Sequence, residues 1–363
     1  MRSRRIRTVT NYPLRRRPAL IARRGVSRTL SALGLKHPWV VPRRNPASPR
    51  VLEDFRLFAI VGAWMEADVI EATVKNAFTQ GCERVFLVNN GSPDDTVEAA
   101  IAAGAELVHS FSTSRFDIHL TYRLRNKLVS EISAADGSNH IWWLWLDADE
   151  FPHGPRGLTV REYLATLDRS FRIVGARFMN HYPGDEPHYV SGFHPLDFQP
   201  LCEELSFRTC WQWHRKHPLQ RFDRCAPEIR SDIGFHRAFS DEQPLLEPTE
   251  AVFVRHFPFR RKEVSLSRLQ ALFSTTERST GRVVPREGSG AHMAMRLGSL
   301  EAVYAQDWRQ VEMELVGDCR RPHVEPLPWT ELVDPEDTSV KRWYPEHAVE
   351  HSNDLGARAG GSR

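Results

Sequence analysis

The stretch His140-Ile-Trp-Trp-Leu-Trp-Leu-Asp-Ala-Asp-Glu150 joins an uninterrupted apolar run to three carboxylates. Six consecutive apolar residues, Ile141 to Leu146, are typical of a strand that is covered on both faces, as in the centre of a parallel sheet. Asp147 and Asp149 follow at the carboxyl end of that strand. Because side chains alternate along an extended segment, we expect these two carboxylates to point the same way and to share one hard cation.

A solvated acidic turn after a core strand is the alternative interpretation, because a short Asp-x-Asp motif often occurs without any function. The position of the acids favours a site. Open α/β sheets bind their ligands outside the carboxyl ends of the strands, which is where these side chains fall.

Strands and helices alternate through the residues that precede this stretch. Such alternation implies βαβ units and a parallel sheet with right-handed crossovers. Gly81 and Gly104 stand where a left-handed residue commonly ends a helix. The predicted strands are Phe55–Val61, Val85–Val88 and Ala105–His109, and the predicted helices are Glu66–Gln80, Thr96–Ala103 and Ile118–Ala135.

A polar turn, Asn89–Asp95, follows the second predicted strand. We expect Ser92 to cap the next helix, with Pro93 at its first position and Asp95 completing a pattern like a capping box. The free backbone N–H groups of such a helix start can help to hold an anion. The segment Thr159–Glu162 predicts a second capping box, which opens a helix that ends near residue 167.

The pattern becomes irregular after the predicted strand Phe171–Met179. Residues 180–256 are rich in aromatic residues, His, Pro and Arg, which is typical of a mixed segment that closes over a site. Helical spacing returns at Glu263–Thr280 and Arg296–Val316. The remaining tail is Pro-rich and acidic and ends in a Gly-rich stretch.

The first fifty residues are strongly basic, with thirteen Arg, one Lys and no Asp or Glu. Blocks of like charge are most often solvated, disordered tails, and we expect this arm to be one. Attraction to anionic lipid or nucleic acid is the functional alternative. We expect peripheral contact with an anionic membrane rather than with nucleic acid.

The rest of the chain is predicted to be globular and cytoplasmic. With 363 residues, 41% of them hydrophobic, it can bury a sizeable core. No apolar run reaches the length of a membrane span, and Arg and Pro interrupt the head too often for a signal peptide. The five cysteines form no C-x-x-C pattern and are predicted to be reduced thiols; they are Cys82, Cys202, Cys210, Cys225 and Cys319.

In combination, four of these features resemble the bacterial branch of the family 2 glycosyltransferases, which have the GT-A fold. They are the strand Phe55–Val61 followed by Glu66, the turn Asn89–Asp95, the pair Arg125-Asn126, and the segment Leu146–Phe151. The resemblance spans roughly residues 55–180 and rests on the order and spacing of the four pieces. It implies a Rossmann-like, mostly parallel sheet flanked by helices.

The resemblance also implies roles for individual residues. Asp149 is similar to the family's principal metal ligand, which bridges a Mn²⁺ or Mg²⁺ ion to the donor's diphosphate, and Asp147 is similar to the acid near the ribose that helps with the metal. Arg125 is similar to the family's basic residue that faces the nucleotide. The residues implied in donor binding are Ala63, Trp64, Glu66, Asn90, Arg125 and Asp147.

One departure from the family concerns the base of the nucleotide. The family's turn usually has Asp-Asp before Gly-Ser, and here Asn89 and Asn90 take those places. An amide can still accept a hydrogen bond through its carbonyl oxygen, so the turn keeps its expected role while the identity of the base stays open.

Beyond residue 180 the candidates follow from chemistry. An inverting transfer needs a carboxylate or an imidazole to take the proton of the acceptor hydroxyl. Asp223, Glu228, Asp232 and His236 are candidates, although a histidine in such a segment is more often a packing or surface residue. His236 and His256 could alternatively give the metal a nitrogen ligand or contact the diphosphate. A basic cluster is expected beside the leaving diphosphate or on a solvated face: Lys216, Arg221, Arg224, Arg230 and Arg237.

The sequence therefore predicts a glycosyltransferase that moves a sugar from a nucleotide-sugar donor to a hydroxyl acceptor on a glycan, a lipid-linked sugar or a small molecule. A nucleotidyltransferase is the alternative enzyme, and a binding protein without catalysis, held to a membrane or to nucleic acid by its arm, is the alternative outside enzymes. The expected organisation is a basic arm at 1–50, a nucleotide-sugar-binding half at 51–180, an irregular acceptor-side half with C-terminal helices at 181–320, and a flexible tail at 321–363.

Overall fold

The structure is a computed structural model, and it describes residues 40–112, 118–183, 195, 198–204, 216–235, 238–240, 244–277, 300–307 and 326–328. Most of the predicted basic arm and the whole of the predicted flexible tail except 326–328 lie outside these ranges. The same is true of His236 and Arg237, so their predicted roles stay predictions.

The strands and helices follow the predicted alternation in the first half of the chain. The strands are β1 (Val40–Arg43), β2 (Arg56–Ala63), β3 (Arg84–Asn89), β4 (Glu106–Ser110), β5 (His140–Asp147), β6 (Glu150–His153), β7 (Ile173–Tyr182), β8 (Leu201–Glu204), β9 (Lys216–Asp223), β10 (Arg230–Ser231), β11 (Ala238–Phe239), β12 (Leu245–Pro248), β13 (Val252–His256) and β14 (Leu327–Pro328). The helices are α1 (Ile70–Thr79), α2 (Thr96–Ala102), α3 (Ile118–Asp136), α4 (Val160–Leu164) and α5 (Lys262–Glu277), and residues 300–304 are also helical.

The predicted α/β fold is confirmed, and its parallel part is the β5-β2-β3-β4 side of the sheet. The strand β5 lies near the centre, and its six apolar residues expose no more than 1% of their surface. It pairs with β2 in parallel, so that Asp147 stands opposite Gly62. Both strands therefore end at the same edge of the sheet.

Helices cover both faces of this parallel part. Leu57 and Ala59 of β2 point into the core on the side of α1 and α2, whereas Phe58 and Ile60 point into the core on the side of α3. Because alternate residues of a strand face opposite ways, only a strand that is apolar throughout can be covered on both sides. The continuous apolar runs in the sequence reflect that arrangement.

Beyond β5 the sheet continues with antiparallel pairing, in the order β5-β9-β7-β8-β14. The strand β13 pairs in parallel with β7 and antiparallel with β6. Since β9 runs against β5, it begins with Lys216 near the end of β5 and finishes with Asp223 opposite His140, where β5 starts. This direction decides which of the later charged residues reach the carboxyl edge.

The end of the predicted basic arm contains a strand. The segment Val40–Arg43 forms the strand β1, which pairs in parallel with β12. Val40 packs against a small apolar cluster that contains Ile173 and Leu245. The apolar side chain of Val40 thus connects this strand to the rest of the fold. The membrane contact predicted for the arm stays a prediction.

The starts of two helices were predicted from capping patterns, and one of the two is confirmed. The Thr159 side chain accepts a hydrogen bond from the backbone N–H of Glu162, and the Glu162 carboxylate accepts one from the backbone of Thr159. Ser92 does not cap α2, which begins at Thr96. The Ser92 hydroxyl instead accepts a hydrogen bond from the backbone N–H of Met65, over 3.1 Å.

Replacing Thr159 by Ala should lower the free energy of unfolding by about 1 kcal/mol, because a backbone donor at the helix start loses its partner. Urea denaturation checks this value. Thr79→Ala is the matched control: this half-buried residue in the last turn of α1 donates only to the Lys75 carbonyl of its own helix, so its loss should change stability by less than about 0.5 kcal/mol. Equal effects of the two substitutions would contradict the capping role.

Two further predictions concern membranes and cysteines. Within the described ranges, no helix is long and apolar enough to cross a membrane. Cys82, Cys202 and Cys225 are free thiols, as predicted, and only Cys225 is exposed. Cys210 and Cys319 lie outside the described residues.

Candidate functional site

Charged and polar side chains gather at the carboxyl edge of the parallel strands. Asn89 ends β3 and Asp147 ends β5, so parallel pairing through β2 brings these two residues to one edge. His256 ends β13 and Lys216 begins β9, and the pairing of both strands with β7 brings them to the same edge. This is the edge at which open α/β sheets bind ligands.

The two carboxylates of the Asp-x-Asp motif take different partners, and the extended geometry expected between them is not kept. The extended strand ends at Asp147, and a turn follows at Ala148 and Asp149. The Ala148 carbonyl accepts a hydrogen bond from the Thr73 hydroxyl of α1, and the Asp149 carbonyl accepts one from the backbone N–H of Phe257. The alternation of an extended chain therefore stops before the second carboxylate.

Asp149 lies against His256. Its Oδ2 atom is 3.5 Å from Nε2 of His256, whose Nδ1 donates a hydrogen bond of 2.6 Å to Oδ1 of Asn180. This bond fixes the ring, so that Nε2 faces the carboxylate. Burial opposes a charge on Asp149, but His256 and the nearby Arg268 and Arg260 outweigh it and hold the pKa of this carboxyl well below its usual range.

The donor set of this pair fits a divalent cation. Two ligands of an octahedral Mg²⁺ or Mn²⁺ ion stand about 3.0 Å apart when each is about 2.1 Å from the ion, close to the spacing of the Asp149 and His256 atoms. Carboxylate oxygen and imidazole nitrogen are both ordinary ligands of such metals. Among the described residues, no three or more His, Cys, Asp and Glu side chains come together as a metal site. An ion here would need oxygens from a bound ligand as well.

Asp147 is the more accessible acid of the motif, with 38% of its side chain exposed against 10% for Asp149. Its Oδ1 atom is 3.2 Å from Nη1 of Arg125, and its Oδ2 atom is 3.9 Å from Nζ of Lys216. These cations on one side leave the rest of the carboxylate open to the edge of the sheet. Asp147 is therefore not grouped with Asp149 and His256 as a metal ligand.

Arg125 does not face the edge of the sheet as the resemblance implied. Its side chain is fully buried, and Nη2 donates hydrogen bonds to the carbonyls of Ile60 and Leu146, over 2.7 and 2.6 Å. Its guanidinium lies beside Gly62, where an added Cβ would stand 3.1 Å from Nη1. Arg125, on α3, thus links the carboxyl ends of β2 and β5 from inside the protein and holds Asp147 in position.

Lys216 is a buried cation of the same edge. It forms an ion pair with Glu150, and its ammonium lies 4.5 Å from the ring centre of Phe178. Burial disfavours the charge of Lys216, but Glu150 and Asp147 outweigh that effect and raise the pKa of the ammonium. The pair keeps a fixed positive charge next to the open carboxylate of Asp147.

Arg260 forms a buried network that the sequence did not reveal. Its Nη2 atom donates to Oε2 of Glu66 over 2.6 Å, its Nε atom donates to Oδ2 of Asp68 over 2.7 Å, and Nη1 lies 3.8 Å from Oδ2 of Asp149. Arg268 of α5 also binds Glu66. Burial opposes the charge of Arg260, but Asp68 and Glu66 raise the pKa of its guanidinium well above the ordinary value. Glu66, predicted to bind the donor, is engaged in this network.

The turn after β3 is tied to the loop after β2. Ser92 accepts from the N–H of Met65, and Thr96 accepts from the N–H of Glu66 over 2.8 Å. Asn89 stabilises the turn itself, because it accepts from the N–H of Ser92 and donates to Ser110. The two loops therefore form one rigid rim at the end of β2 and β3.

Asn90 differs from its neighbour. Its backbone N–H donates to the carbonyl of Ala63 over 3.0 Å, but its side-chain Oδ1 atom is buried without a hydrogen-bond partner in the described structure. A buried acceptor without a partner is unfavourable unless a ligand supplies the donor. Ala63 is buried and Trp64 is half-buried beside this turn, which brings three predicted donor-binding residues together.

The candidate bases do not all reach this edge. Asp223 stands opposite His140, at the other end of β5, roughly 23 Å from Asp147 at about 3.3 Å per residue. Its carboxylate binds Arg221, Arg172 and His140. The prediction that Asp223 acts at the site is not supported, because β9 runs antiparallel to β5.

Asp232 is the described candidate nearest to the carboxyl edge. Asn126, the second residue of the Arg-Asn pair, exchanges two hydrogen bonds with the backbone of the preceding residue, Ser231. The following turn carries Phe235, whose ring centre is 5.0 Å from Nζ of Lys216 and 5.2 Å from Cζ of Arg125. The segment that holds Asp232 therefore packs against Lys216 and Arg125, the two cations next to Asp147.

The remaining predicted residues are divided between the two edges or are not described. Glu228 is exposed and lines a small cavity with Asp223 rather than with Asp147. Of the predicted basic cluster, Lys216 alone is shown at the carboxyl edge, whereas Arg221 and Arg224 lie at the opposite edge with Asp223. Arg230 is half-buried in β10.

No protein-family model matches the sequence, and no curated protein sequence matches it. One similar solved structure is glucosyl-3-phosphoglycerate synthase from Mycobacterium tuberculosis in complex with Mn²⁺, uridine diphosphate and phosphoglyceric acid, with 16% identity over 34% of this chain and 43% of that chain and a TM-score of 0.23. The match therefore spans less than half of that enzyme.

Two other matches cover more of each chain. The same synthase with Mn²⁺, uridine diphosphate and glucosyl-3-phosphoglycerate is 15% identical over 62% of this chain and 80% of that one, with a TM-score of 0.28. A mycobacterial protein is 13% identical over 62% of this chain and 75% of that one, with a TM-score of 0.31. A likeness of this size gives no conclusion about what the present chain binds or does.

Proposed function

We propose that this chain is a glycosyltransferase of the family 2 type, which transfers a sugar from a nucleotide-sugar donor to a hydroxyl acceptor with the help of Mn²⁺ or Mg²⁺. The observation that carries the proposal is the Asp149–His256 pair, which lies at the carboxyl edge of a parallel sheet and has the donor set of a divalent cation. A cation with only two protein ligands suits a site that is completed by the phosphate oxygens of a substrate.

The nucleoside part of the donor is assigned to the rim formed by the loops after β2 and β3. Asn90 offers a buried acceptor without a partner in the described structure, which suits an N–H of a base or a ribose hydroxyl. Trp64 is half-buried beside it and offers an apolar surface for the base. Asp147, with its open carboxylate, is assigned to the ribose.

The diphosphate is assigned to the opposite side of Asp147, where Asp149 and His256 would hold the cation. A divalent cation there supplies positive charge that stabilises the departing diphosphate. Asn180 fixes the ring of His256, and Arg260 positions Asp149 from inside the protein. Asp147 is proposed to assist through its charge rather than as a direct ligand.

The acceptor hydroxyl is assigned to the side of the sheet where the segment with Asp232 packs. A carboxylate there can take the hydroxyl proton as the oxygen attacks the anomeric carbon from the face opposite the diphosphate, which would invert the configuration. Asp232 is the proposed base, and His236, four residues later, remains a predicted alternative. Asp223 is left out because it lies at the other end of β5.

The proposed donor chemistry is tested by incubating the protein with a panel of nucleotide sugars and Mn²⁺ and measuring the release of nucleoside diphosphate into water. We expect one nucleoside diphosphate to be released with Mn²⁺ and little with EDTA. Release of inorganic pyrophosphate from a nucleoside triphosphate and a sugar phosphate would instead identify a nucleotidyltransferase. If the protein turned over neither the nucleotide sugars nor the nucleoside triphosphates with sugar phosphates, a binding protein without catalysis would be favoured.

Asn90→Ala should lower kcat/KM for the donor by about tenfold or more, because a buried hydrogen bond to the donor is lost, while the free energy of unfolding changes little. The neighbouring residue, Asn89, provides a matched control. Asn89→Ala removes two internal hydrogen bonds and should destabilise the protein by about 1–3 kcal/mol. Donor kinetics with purified variants and urea denaturation separate the two effects. Unchanged donor kinetics in Asn90→Ala would remove this turn from the site.

A further inference from the structure

A second pocket, of about 600 Å³, opens at the edge of the sheet where β5 begins. It lies at the opposite end of β5 from Asp147 and Asp149, so it is separate from the proposed donor site. Its size is within the range of about 300–1,000 Å³ that small-molecule sites occupy. The lining residues that matter here are Arg50, His140, Arg169, Arg221, Asp223 and Arg224.

The wall of this pocket is held in place by hydrogen bonds between chain segments distant in sequence. The N–H of Arg169 donates to the carbonyl of Arg50 over 2.8 Å, and the N–H of Arg224 donates to the carbonyl of Asn139 over 3.0 Å. Nη2 of Arg221 donates to the carbonyl of Arg169 over 2.8 Å. The pocket is therefore framed by four segments that the fold brings together, rather than by one loop.

Asp223 supplies the negative charge of the lining, and its charge is already satisfied. Its oxygens accept from Nε and Nη2 of Arg221 over 2.8 and 3.1 Å, and they lie 2.7 Å from Nε of Arg172 and 2.7 Å from Nδ1 of His140. Burial opposes this charge, but Arg221, His140 and Arg172 outweigh it and lower the pKa of the carboxyl. More than one cation is thus present for this one carboxylate.

The guanidinium groups at the mouth of the pocket add further positive charge. The side chains of Arg169 and Arg224 are exposed and have no ion-pair partner in the part of the chain that the structure describes. Arg50 has only a distant pair, with Nε 4.0 Å from Oδ2 of Asp168. The lining of the pocket therefore holds four guanidinium groups, those of Arg50, Arg169, Arg221 and Arg224, against one carboxylate, that of Asp223.

We propose that this pocket binds a small ligand that carries a phosphate group. The guanidinium group is planar and donates two parallel hydrogen bonds to a phosphate, and several of them around a concave surface suit a dianionic group. The low-dielectric walls of a pocket strengthen such attraction relative to an open surface. The phosphate belongs either to a soluble metabolite or to a lipid head group, because both present the same chemistry to the arginines.

This proposal does not depend on the proposed function. The pocket and the Asp149–His256 pair lie at opposite ends of β5, roughly 23 Å apart along the strand. A ligand here cannot contact the groups that would hold the donor diphosphate. The site would therefore serve regulation or attachment, and its occupancy is measurable without any substrate.

Cys225 provides a local readout, because its thiol is free and exposed and lines the pocket. The rate of its alkylation by iodoacetamide is followed by peptide mass spectrometry on the full chain. The assay contains EDTA, so that no divalent cation helps pyrophosphate to bind at the carboxyl edge. It compares pyrophosphate with potassium chloride at equal ionic strength. We expect saturating pyrophosphate, but not chloride, to slow alkylation of Cys225 by about fivefold or more.

The double variant Arg169→Gln and Arg224→Gln should lose this protection. The matched control, Arg156→Gln with Arg177→Gln, removes the same charge from exposed ion pairs outside the pocket lining and should keep it. Equal protection in both double variants, or no protection in the natural protein, would overturn the proposal.

The source of the phosphate is distinguished by two further probes. Protection by soluble glycerol phosphate would support a metabolite site. Protection by vesicles of phosphatidic acid and phosphatidylcholine, but not by glycerol phosphate or by phosphatidylcholine alone, would support a lipid head group. Protection by none of these probes, including pyrophosphate, would contradict a phosphate site of either kind.

Discussion

Asp149→Asn is expected to abolish metal-dependent donor turnover, lowering kcat by about two powers of ten or more. The substitution keeps the size and shape of the side chain but removes the ligand charge that faces Nε2 of His256. The protein should still fold, because Arg260 keeps its bonds to Glu66 and Asp68. Nucleoside diphosphate release with Mn²⁺ measures the first effect, and circular dichroism with thermal melting measures the second.

Asp147→Asn is the matched control within the same motif and should have a smaller effect on kcat. Asp147 is balanced by Arg125 and Lys216 and does not face His256. Its loss should act mainly on donor binding, raising KM. If Asp149→Asn retained nearly full metal-dependent activity on a confirmed donor, the acids would be only the solvated end of a core strand.

Arg260→Met is expected to be the most destabilising substitution at the site, lowering the free energy of unfolding by about 3–5 kcal/mol. The guanidinium is 1% exposed and lies within 4 Å of carboxylate oxygens of Glu66, Asp68 and Asp149. Methionine fills a similar space but leaves buried carboxylates without their counter-charge. Urea denaturation measures the loss.

Lys75→Met is the control, because it removes a cation whose ion pair, with Glu71, is exposed. Such pairs contribute about 0.5 kcal/mol or less, so stability should hardly change. A similar small loss in Arg260→Met would show that the buried network does not hold the loops after β2 and β13 together. In that case Arg260 could not be the residue that positions Asp149.

The sequence was sufficient to predict the centre of the fold and one edge of the site. A six-residue apolar run can only be buried on both faces, and its carboxyl end then has to lie where parallel strands end. The position of Asp149 followed from that geometry, whereas the role of the Asn90 turn was implied by the family resemblance and stays a prediction. The different partners of the two acids were not expected, because the strand ends at Asp147 and the alternation of side chains ends with it.

The buried arginines could not be predicted from local patterns. Arg125 lies on a helix with a polar surface, where an arginine is normally exposed. Only the tertiary structure shows that carbonyl groups of β2 and β5 accept hydrogen bonds from its guanidinium. Arg260 contacts residues almost two hundred positions earlier in the chain. Its role depends on the pairing of β13 with β6 and β7, and that region has no clear periodicity in the sequence.

The position of Asp223 shows how strand direction limits an argument from residue types. A carboxylate among arginines is a reasonable candidate for either edge of the sheet. The antiparallel pairing of β9 with β5 carries Lys216 to the carboxyl edge and Asp223 to the opposite edge. Strand direction in this half of the chain is set by long-range pairing, which a single sequence does not display.

The central claim is that Asp149 and His256 hold a divalent cation together with a nucleoside diphosphate, and electron paramagnetic resonance of Mn²⁺ tests it most directly. Free Mn²⁺ gives a sharp six-line signal, which decreases when the ion binds to protein. We expect the signal to fall when the protein and the matching nucleoside diphosphate are both present, beyond the fall with either alone. The same mixture with Asp149→Asn or His256→Gln should keep the signal of nucleotide and Mn²⁺ alone. An equal fall of the signal with the natural protein and with both variants would contradict the claim.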